Sequence, residues 1–270
     1  MQPKVMICGN TGYHNHDLEA AAERLRGAKV FQNLSTVIMT PTRGMIPAQV
    51  VQSWLFLLGP SNAQVGRFFT EGKPTEQVGT IFCQGFEVGS AYEAGLSTML
   101  QDPNMNKVKY LLTVEDDNIP PHDGLLKLYE NICDCEVPCK EHFSVVGGLY
   151  WMKGEGGQPM LFGNPEAEPT FLNGIQSMDF SPQIPKKDTI QECNGVGMGF
   201  TLFHTGLFQM EDVFPRPWFE TKQEGHLQDT VKSYTQDLFF MEKLRKKGYR
   251  VACDTRVKVG HYDHETEMTW

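Results

Sequence analysis

Short apolar runs rich in β-branched residues alternate with longer segments of helical periodicity along this chain of 270 residues. Such alternation favours an α/β fold, in which helices cover both faces of a mostly parallel sheet. The apolar runs predict strands at 4–8, 36–40, 77–83, 110–114, 143–149, 195–203, 250–254 and 257–259. The periodic segments predict helices at 17–26, 47–58, 89–101, 122–132 and 233–247. Residues 151–190 are rich in Gly, Pro and Asn and predict loops with a hairpin.

The composition is that of a globular protein, with 40% hydrophobic and 21% charged residues. A net charge of −9 argues against non-specific binding to nucleic acid or to anionic membranes. No segment has the ~18–20 consecutive apolar residues that a membrane span needs, and the first ten residues make a poor signal peptide. Seven cysteines, an odd number, favour reduced thiols. We therefore expect a soluble, cytoplasmic protein with no membrane span.

An acidic turn follows the most apolar of the predicted strands. Glu115, Asp116 and Asp117 come directly after the YLLTV run at 110–114. Three neighbouring carboxylates repel one another, and the carboxyl end of a strand is where α/β folds place ligands. A hard divalent cation that bridges carboxylates and a diphosphate would satisfy both conditions. The alternative is a solvated acidic turn that caps the following helix.

The segment LLTVEDDNIPP resembles the Asp-rich "DXD" turn of the GT-A glycosyltransferases, and residues 34–264 are similar to glycosyltransferase family 2. The resemblance implies a GT-A domain over 34–270, with a mixed, mostly parallel, Rossmann-like sheet flanked by helices. Its donor half would be about 34–150 and its acceptor half about 151–270, with 1–33 as an N-terminal extension packed on it.

The resemblance also implies a role for each acidic residue of the turn. Asp117 would chelate the metal, while Glu115 and Asp116 would contact the ribose or metal-bound water. Glu115 stands where the family has Asp, so it is a candidate both for donor binding and for metal binding.

Further segments follow in the family's order. The segment TPTRG ends the first strand of the resemblance, which implies that Pro41, Thr42 and Arg43 pack on the nucleotide base; a plain turn is the alternative. The segment ECNGVGMGFTLFH resembles the part that lies beside sugar and acceptor, where Gly197 and Gly199 would admit close approach of the backbone to a ligand. The segment GFEVGSAYEAGL lacks the family's usual basic residue.

Two segments near the C-terminus imply the rest of the site. In YTQDLFFMEKLRKKGYRV the family's Glu-Asp pair is Gln-Asp, and Asp237 is the implied general base for an inverting transfer. A helix N-terminus would keep this carboxylate ionised, and helix capping is the alternative role. In VKVGHYDHE the implied metal ligand is His261, with His264 as second choice, and an imidazole ligand suits Mn²⁺ better than Mg²⁺. A histidine ligand here occurs in retaining members too, so the stereochemical outcome stays open.

A second cluster has no counterpart in the family. Cys133, Cys135, Cys139 and His142 lie within ten residues of one another, and three thiolates with one imidazole complete a tetrahedral shell for structural Zn²⁺. The alternative is a set of reduced cysteines on a surface loop.

Together these residues predict a metal-dependent glycosyltransferase whose donor is a nucleoside-diphosphate sugar, with UDP favoured. The acceptor stays open between a glycan and a hydroxymethylated DNA base; the basic run EKLRKKGYR would meet a phosphate backbone or form a solvated helix face. Trp151, Trp218 and Phe219 are candidates for stacking on the ligand or for the core. The alternatives are a sugar-nucleotide nucleotidyltransferase, for which the Gly-rich basic loop is missing, and a non-catalytic module that binds sugar nucleotides.

Overall fold

The structure is a computed structural model that describes residues 35–57, 79–103, 105–167, 170–172, 175–224 and 232–270. The predicted strand at 4–8, the predicted helix at 17–26 and the extension at 1–33 lie outside the described residues. Among the helices of the described ranges, none is long and apolar enough to cross a membrane.

Within these ranges the helices are α1 (Ala48–Leu55), α2 (Val88–Gln101), α3 (Gly124–Tyr129), α4 (Gly206–Gln209) and α5 (Gln236–Lys246). The strands are β1 (Thr36–Thr42), β2 (Gly79–Gln84), β3 (Tyr110–Val114), β4 (Asn118–Ile119), β5 (Phe143–Leu149), β6 (Leu161–Phe162), β7 (Thr170–Leu172), β8 (Ile175–Ser177), β9 (Ile190–Cys193), β10 (Gly195–Val196), β11 (Phe200–His204), β12 (Lys222–Glu224), β13 (Lys232–Tyr234), β14 (Arg250–Lys258) and β15 (Gly260–His261).

Seven of these strands form one central sheet in the order β2-β1-β3-β11-β5-β14-β9. β1 is parallel to β2 and β3, and β14 is parallel to β5. β11 runs antiparallel to both of its neighbours, and β9 runs antiparallel to β14. The sheet is therefore mixed and mostly parallel, as predicted. This order brings the ends of β1, β3 and β5 to the same edge as the start of β11.

Two apolar clusters cover the opposite faces of the sheet. Successive residues of a strand point to opposite faces, and in β3 Leu111 belongs to one cluster while Leu112 belongs to the other. α2 and α5 pack into the first cluster and α3 into the second. Trp218 and Phe219 lie in the first cluster with 0% and 2% exposure, so they are core residues and not platforms for a ligand.

The predicted helix at 122–132 is shorter in the structure. Asp123 lies at the N-cap of α3, so the helix begins two residues later than predicted. The helix also ends earlier than predicted, because Ile132 forms a β-bridge with Phe143 at the start of β5. The Cys133 N–H also donates to the Phe143 carbonyl at 2.7 Å.

Three other boundaries differ for local reasons. The predicted strand at 195–203 divides into β10 and β11, because the chain between them turns across the Tyr150 hydroxyl, which accepts from the Gly199 N–H at 3.0 Å. The predicted helix at 233–247 begins only at α5, since the preceding residues form β13, which pairs with β12. The two predicted strands at 250–259 are one continuous strand, β14.

Candidate functional site

The acidic turn lies at the carboxyl end of β3, in the middle of the sheet edge. Its backbone is held on two sides. The Glu115 N–H donates to the Gly199 carbonyl at 3.1 Å, and the Tyr262 N–H donates to the Asp117 carbonyl at 2.7 Å. The backbone is therefore fixed at both ends of the turn, by the residue that precedes β11 and by the C-terminal segment.

Asp117 and His261, the two metal ligands that the resemblance implies, lie beside each other. β15 pairs with β4, which brings His261 beside the turn, and its Nε2 lies 3.4 Å from Asp117 Oδ2. The Nδ1 atom of His261 lies 2.8 Å from the Trp151 carbonyl. A carbonyl only accepts hydrogen bonds, so Nδ1 carries a proton and the ring presents Nε2 to the carboxylate.

Lys153 reaches the same carboxylate, with Nζ 2.5 Å from Asp117 Oδ2. Burial alone would raise the pKa of Asp117, but hydrogen bonds and charge from His261 and Lys153 hold it below its ordinary value. Asp117 is therefore anionic at neutral pH. Sequence reasoning missed Lys153, whose one signal is that it is the only basic residue of the Gly-rich stretch WMKGEGG.

Glu115 has a different environment from Asp117. Burial raises its pKa to about 8, and the negative charges of Asp117 and Asp237 add to the effect. The Tyr92 hydroxyl donates to Glu115 Oε1 at 3.3 Å. In the absence of a cation, a proton on Glu115 therefore relieves part of the repulsion in the turn. Tyr92, in α2, is another contact that the sequence pattern does not reveal.

Asp237 lies in the first turn of α5 and is 3% exposed. Its Oδ1 accepts a hydrogen bond from the Leu238 N–H at 2.9 Å and another from the Thr235 hydroxyl. Burial outweighs these hydrogen bonds and raises the pKa of Asp237, whereas the sequence led us to expect that the helix N-terminus would keep the carboxylate ionised. Because its charge acts on Glu115, Asp237 belongs to the same group of carboxylates.

The segment after β1 touches the acidic turn through its backbone. The Arg43 N–H donates to Asp116 Oδ2 at 3.3 Å, and the Arg43 side chain is exposed. β1 extends through Thr42 and pairs with β2 there, so Pro41 and Thr42 lie in a strand and not in the predicted turn. Pro41 is buried and Thr42 is half-buried, so Arg43 is the most exposed of the three.

The two glycines predicted to approach a ligand lie close to protein groups. A Cβ atom on Gly197 would lie 2.2 Å from the Tyr150 hydroxyl, and one on Gly199 would lie 2.5 Å from Asn118 Oδ1. The side-chain amide of Asn118 is buried and has no hydrogen-bond partner among the described residues. The small size of these glycines therefore allows Tyr150 and Asn118 to pack beneath the turn.

The cysteine cluster comes together as well. The ligand atoms of Cys133, Cys135, Cys139 and His142 all lie within 4.8 Å of one another. Among the described residues this is the one group of three or more His, Cys, Asp or Glu side chains with that spacing. It lies at the opposite edge of the sheet from the acidic turn, because Tyr110, at the start of β3, donates to the Cys133 carbonyl at 3.2 Å.

The basic run at the end of α5 is engaged within the protein. Arg245 and Arg250 pair with Glu192 at 2.9 and 2.6 Å, and Lys246 pairs with Glu242 at 3.0 Å. These contacts make the run a helix face with internal partners, and they weaken the case for contact with a phosphate backbone.

Comparison with known proteins gives the fold. No family model matches the chain, and no curated protein sequence does. Among solved structures, A197 from STIV matches with a TM-score of 0.54 and 15% identity, over 87% of this chain and 92% of that one. GalNAc-T7, solved with UDP, GalNAc and Mn²⁺, matches with a TM-score of 0.50 and 9% identity, over 86% of this chain and 44% of that one. The chain thus has an α/β fold of the GT-A-like kind.

Proposed function

We propose that this protein is a metal-dependent glycosyltransferase that moves a sugar from a nucleoside-diphosphate sugar to an acceptor hydroxyl. The observation that carries the proposal is the pairing of Asp117 with His261 at the carboxyl edge of a GT-A-like sheet. GalNAc-T7, which shares the fold, was solved with UDP and Mn²⁺. A UDP-sugar and Mn²⁺ are therefore the first donor and the first cation to test.

The geometry of the pair fits a cation. The Trp151 carbonyl fixes a proton on Nδ1, so Nε2 is the ring atom that would bind a cation, and it lies 3.4 Å from Asp117 Oδ2. Two ligand bonds of about 2.2 Å at an angle near 90–100° separate the ligand atoms by roughly 3.1–3.4 Å. Mixed imidazole and carboxylate ligands suit Mn²⁺ better than Mg²⁺. Glu115 is the weaker candidate for a third ligand, because Tyr92 already binds its carboxyl group.

Such a cation would neutralise the donor diphosphate and make the nucleoside diphosphate a better leaving group. Two basic side chains near the acidic turn are candidates for binding the same donor. Lys153 now pairs with Asp117, and it would be free to contact a phosphate oxygen once a cation takes its place. Arg43 is exposed beside Asp116, where we assign it and Asp116 to the nucleoside.

Asp237 is our candidate for the base that accepts the proton of the acceptor hydroxyl in an inverting transfer. Its Oδ1 is held by Leu238 and Thr235, so we assign the acceptor proton to Oδ2. The raised pKa of Asp237 strengthens it as a base. The assignment predicts that Asp237→Asn loses transfer to the acceptor and keeps nucleotide binding.

A specific observation favours a variant of this mechanism without a metal. Lys153 supplies one positive charge at the position where a cation would bind, and a lysine is an ordinary ligand for phosphate. In that case, Lys153→Met would abolish nucleotide binding. Addition of a chelator would leave nucleotide binding unchanged. The metal-dependent reaction predicts instead that the chelator abolishes binding and that Lys153→Met only weakens it.

The experiment is incubation with a panel of UDP-, GDP- and other nucleotide-sugars with Mn²⁺ while release of the nucleoside diphosphate is measured. We expect release from one donor, loss of release with EDTA, and loss in Asp117→Asn. Asp212→Asn is the matched control, because Asp212 is an exposed carboxylate that follows α4 and is not part of the acidic turn. Release that survives both EDTA and Asp117→Asn would refute the metal assignment. Release of pyrophosphate from a sugar phosphate and a nucleoside triphosphate would favour the nucleotidyltransferase.

The acceptor is tested next, with the donor found above. We propose a glycan or a hydroxymethylated DNA base, and each can be supplied directly as a soluble acceptor. Incorporation of label from the sugar into one of them decides between the two. Binding of the nucleotide without turnover on any acceptor or on water would favour the non-catalytic module.

A further inference from the structure

The loop between α3 and β5 carries a cluster that the proposed transfer does not use. Three cysteines and one histidine converge there, at the edge of the sheet opposite the acidic turn. Tyr110, at the first position of β3, contacts this loop, and Glu115 follows five residues later. At about 3.3 Å per residue, the two edges are roughly 16 Å apart along the strand.

We propose that Cys133, Cys135, Cys139 and His142 bind one structural Zn²⁺ ion. The sulfur of Cys139 lies 3.7 Å from the sulfurs of both Cys133 and Cys135. Bonds of about 2.3 Å from zinc to sulfur at tetrahedral angles place two sulfurs about 3.8 Å apart. The cluster therefore already has the spacing of a zinc shell, and it needs only small adjustments at the exposed His142.

The histidine completes the shell. Its Nδ1 lies 3.1 Å from the Cys139 sulfur and 4.0 Å from the Cys135 sulfur, which brackets the roughly 3.6 Å expected between a nitrogen and a sulfur on one zinc ion. Four protein ligands leave no open position, so the ion would be structural and not catalytic.

Backbone N–H groups donate hydrogen bonds to two of the sulfurs. The N–H groups of Cys135 and Cys139 hydrogen-bond the Cys133 sulfur, and the His142 N–H hydrogen-bonds the Cys139 sulfur. Donors of this kind around the ligands orient them and stabilise their negative charge. Three thiolates so close together repel one another unless a cation lies between them.

Two of the ligands are attached to the rigid part of the fold. Cys133 is tied to β5 by its N–H, which donates to the Phe143 carbonyl at 2.7 Å. His204 fixes Cys135: its Nδ1 accepts from the Gly206 N–H at 3.1 Å, so its Nε2–H donates to the Cys135 carbonyl at 3.0 Å. Zinc would tie the remainder of the loop, with Cys139, to this frame.

A disulfide is the competing use of the same cysteines. The 3.7 Å separations exceed the roughly 2.05 Å of a disulfide bond by far. A disulfide between any two of the three cysteines would also leave the third thiol and the histidine unused. The four-ligand shell accounts for all of them.

The deciding measurement is the metal content of the full chain, purified under reducing conditions without chelator. We expect about one zinc ion per chain. Exchange for Co²⁺ should give the visible bands of a tetrahedral site with intense sulfur-to-cobalt charge transfer. This measurement uses the unaltered protein, so it does not depend on whether a variant folds.

Variants then test the ligand set. His142→Ala should lose most of the zinc, whereas His142→Cys should keep it and raise the charge-transfer absorbance of the cobalt form by about one third, because four thiolates replace three. Glu136→Ala is the control on the same loop, since Glu136 is exposed and outside the ligand set, and it should keep the metal. Asp117→Asn should also keep it, which separates this site from the donor site.

The proposal is overturned if the unaltered chain carries little zinc and its cysteines are recovered as a disulfide or as freely reactive thiols. An octahedral cobalt spectrum, or zinc retained in His142→Ala, would also overturn the assignment of the ligands. None of these results bears on sugar transfer, because the proposed donor site shares no residue with this loop.

Discussion

The contact between Gly199 and Asn118 gives the sharpest test of how the turn is supported. In Gly199→Ala, the new Cβ would lie 2.5–2.8 Å from three atoms of the Asn118 side-chain amide. Asn118 is 0% exposed, so its amide has no space into which to move, and the backbone after Asp117 must shift instead. Overpacking of this kind destabilises a protein by about 1–3 kcal/mol.

The magnitude translates into a measurable shift of the melting temperature. For a domain of about 150–250 residues, 1 kcal/mol corresponds to roughly 2–4 °C, so Gly199→Ala should lower Tm by about 2–12 °C. Gly89→Ala is the matched control, because its Cβ would meet its nearest neighbours at 3.2–3.5 Å. We expect the control to change stability by less than about 0.5 kcal/mol.

A double-mutant cycle identifies the cause. Asn118→Ala removes the amide that the new methyl group meets, and this amide has no hydrogen-bond partner among the described residues, so removing it loses no hydrogen bond seen there. If the clash is the cause, the double variant should recover about 1 kcal/mol or more of the loss in Gly199→Ala. The free energies of unfolding are measured with urea. If the losses caused by the two substitutions simply add in the double variant, the clash is not the cause.

Further predictions concern charge, core and donor binding. Glu192, whose pKa is lowered by Arg250 and Arg245 despite partial burial, should stabilise the fold at neutral pH and lose that contribution as pH falls through its folded pKa. Glu192→Gln should therefore lower the free energy of unfolding at pH 7, measured with urea, by up to about 1 kcal/mol. In acid its stability should converge with that of the unaltered protein. Leu112→Ala, in a fully buried position, should lose about 2–5 kcal/mol in the same assay. Lys153→Met should weaken nucleotide binding several-fold in calorimetry.

The sequence predicted the parts of the fold that depend on local pattern. β3 and β5 were predicted residue for residue, since each is a continuous apolar run with clear ends. The directions of β9 and β11 were not predicted, because strand pairing is a long-range property that a hydrophobic run does not encode. The end of α3 was missed for the same reason, as it is set by pairing with β5.

The candidate site divides in a similar way. The meeting of Asp117 with His261 followed from a resemblance carried by short motifs, and the structure brings the two side chains together. Lys153 was not predicted, because a lysine in a Gly-rich loop has no periodic pattern that reveals its partner. The burial of Asp237, which is 3% exposed, was missed as well, since burial depends on tertiary packing and not on helix capping alone.

The central claim is that a cation held by Asp117 and His261 binds a nucleoside diphosphate. Its most direct test is calorimetric titration of UDP into the protein with Mn²⁺ and with EDTA, for the unaltered chain and for Asp117→Asn. The account predicts binding with Mn²⁺ that weakens by tenfold or more, about 1.4 kcal/mol, in EDTA or in Asp117→Asn. Equal affinity for UDP with and without the metal, or unchanged affinity in Asp117→Asn, would contradict it.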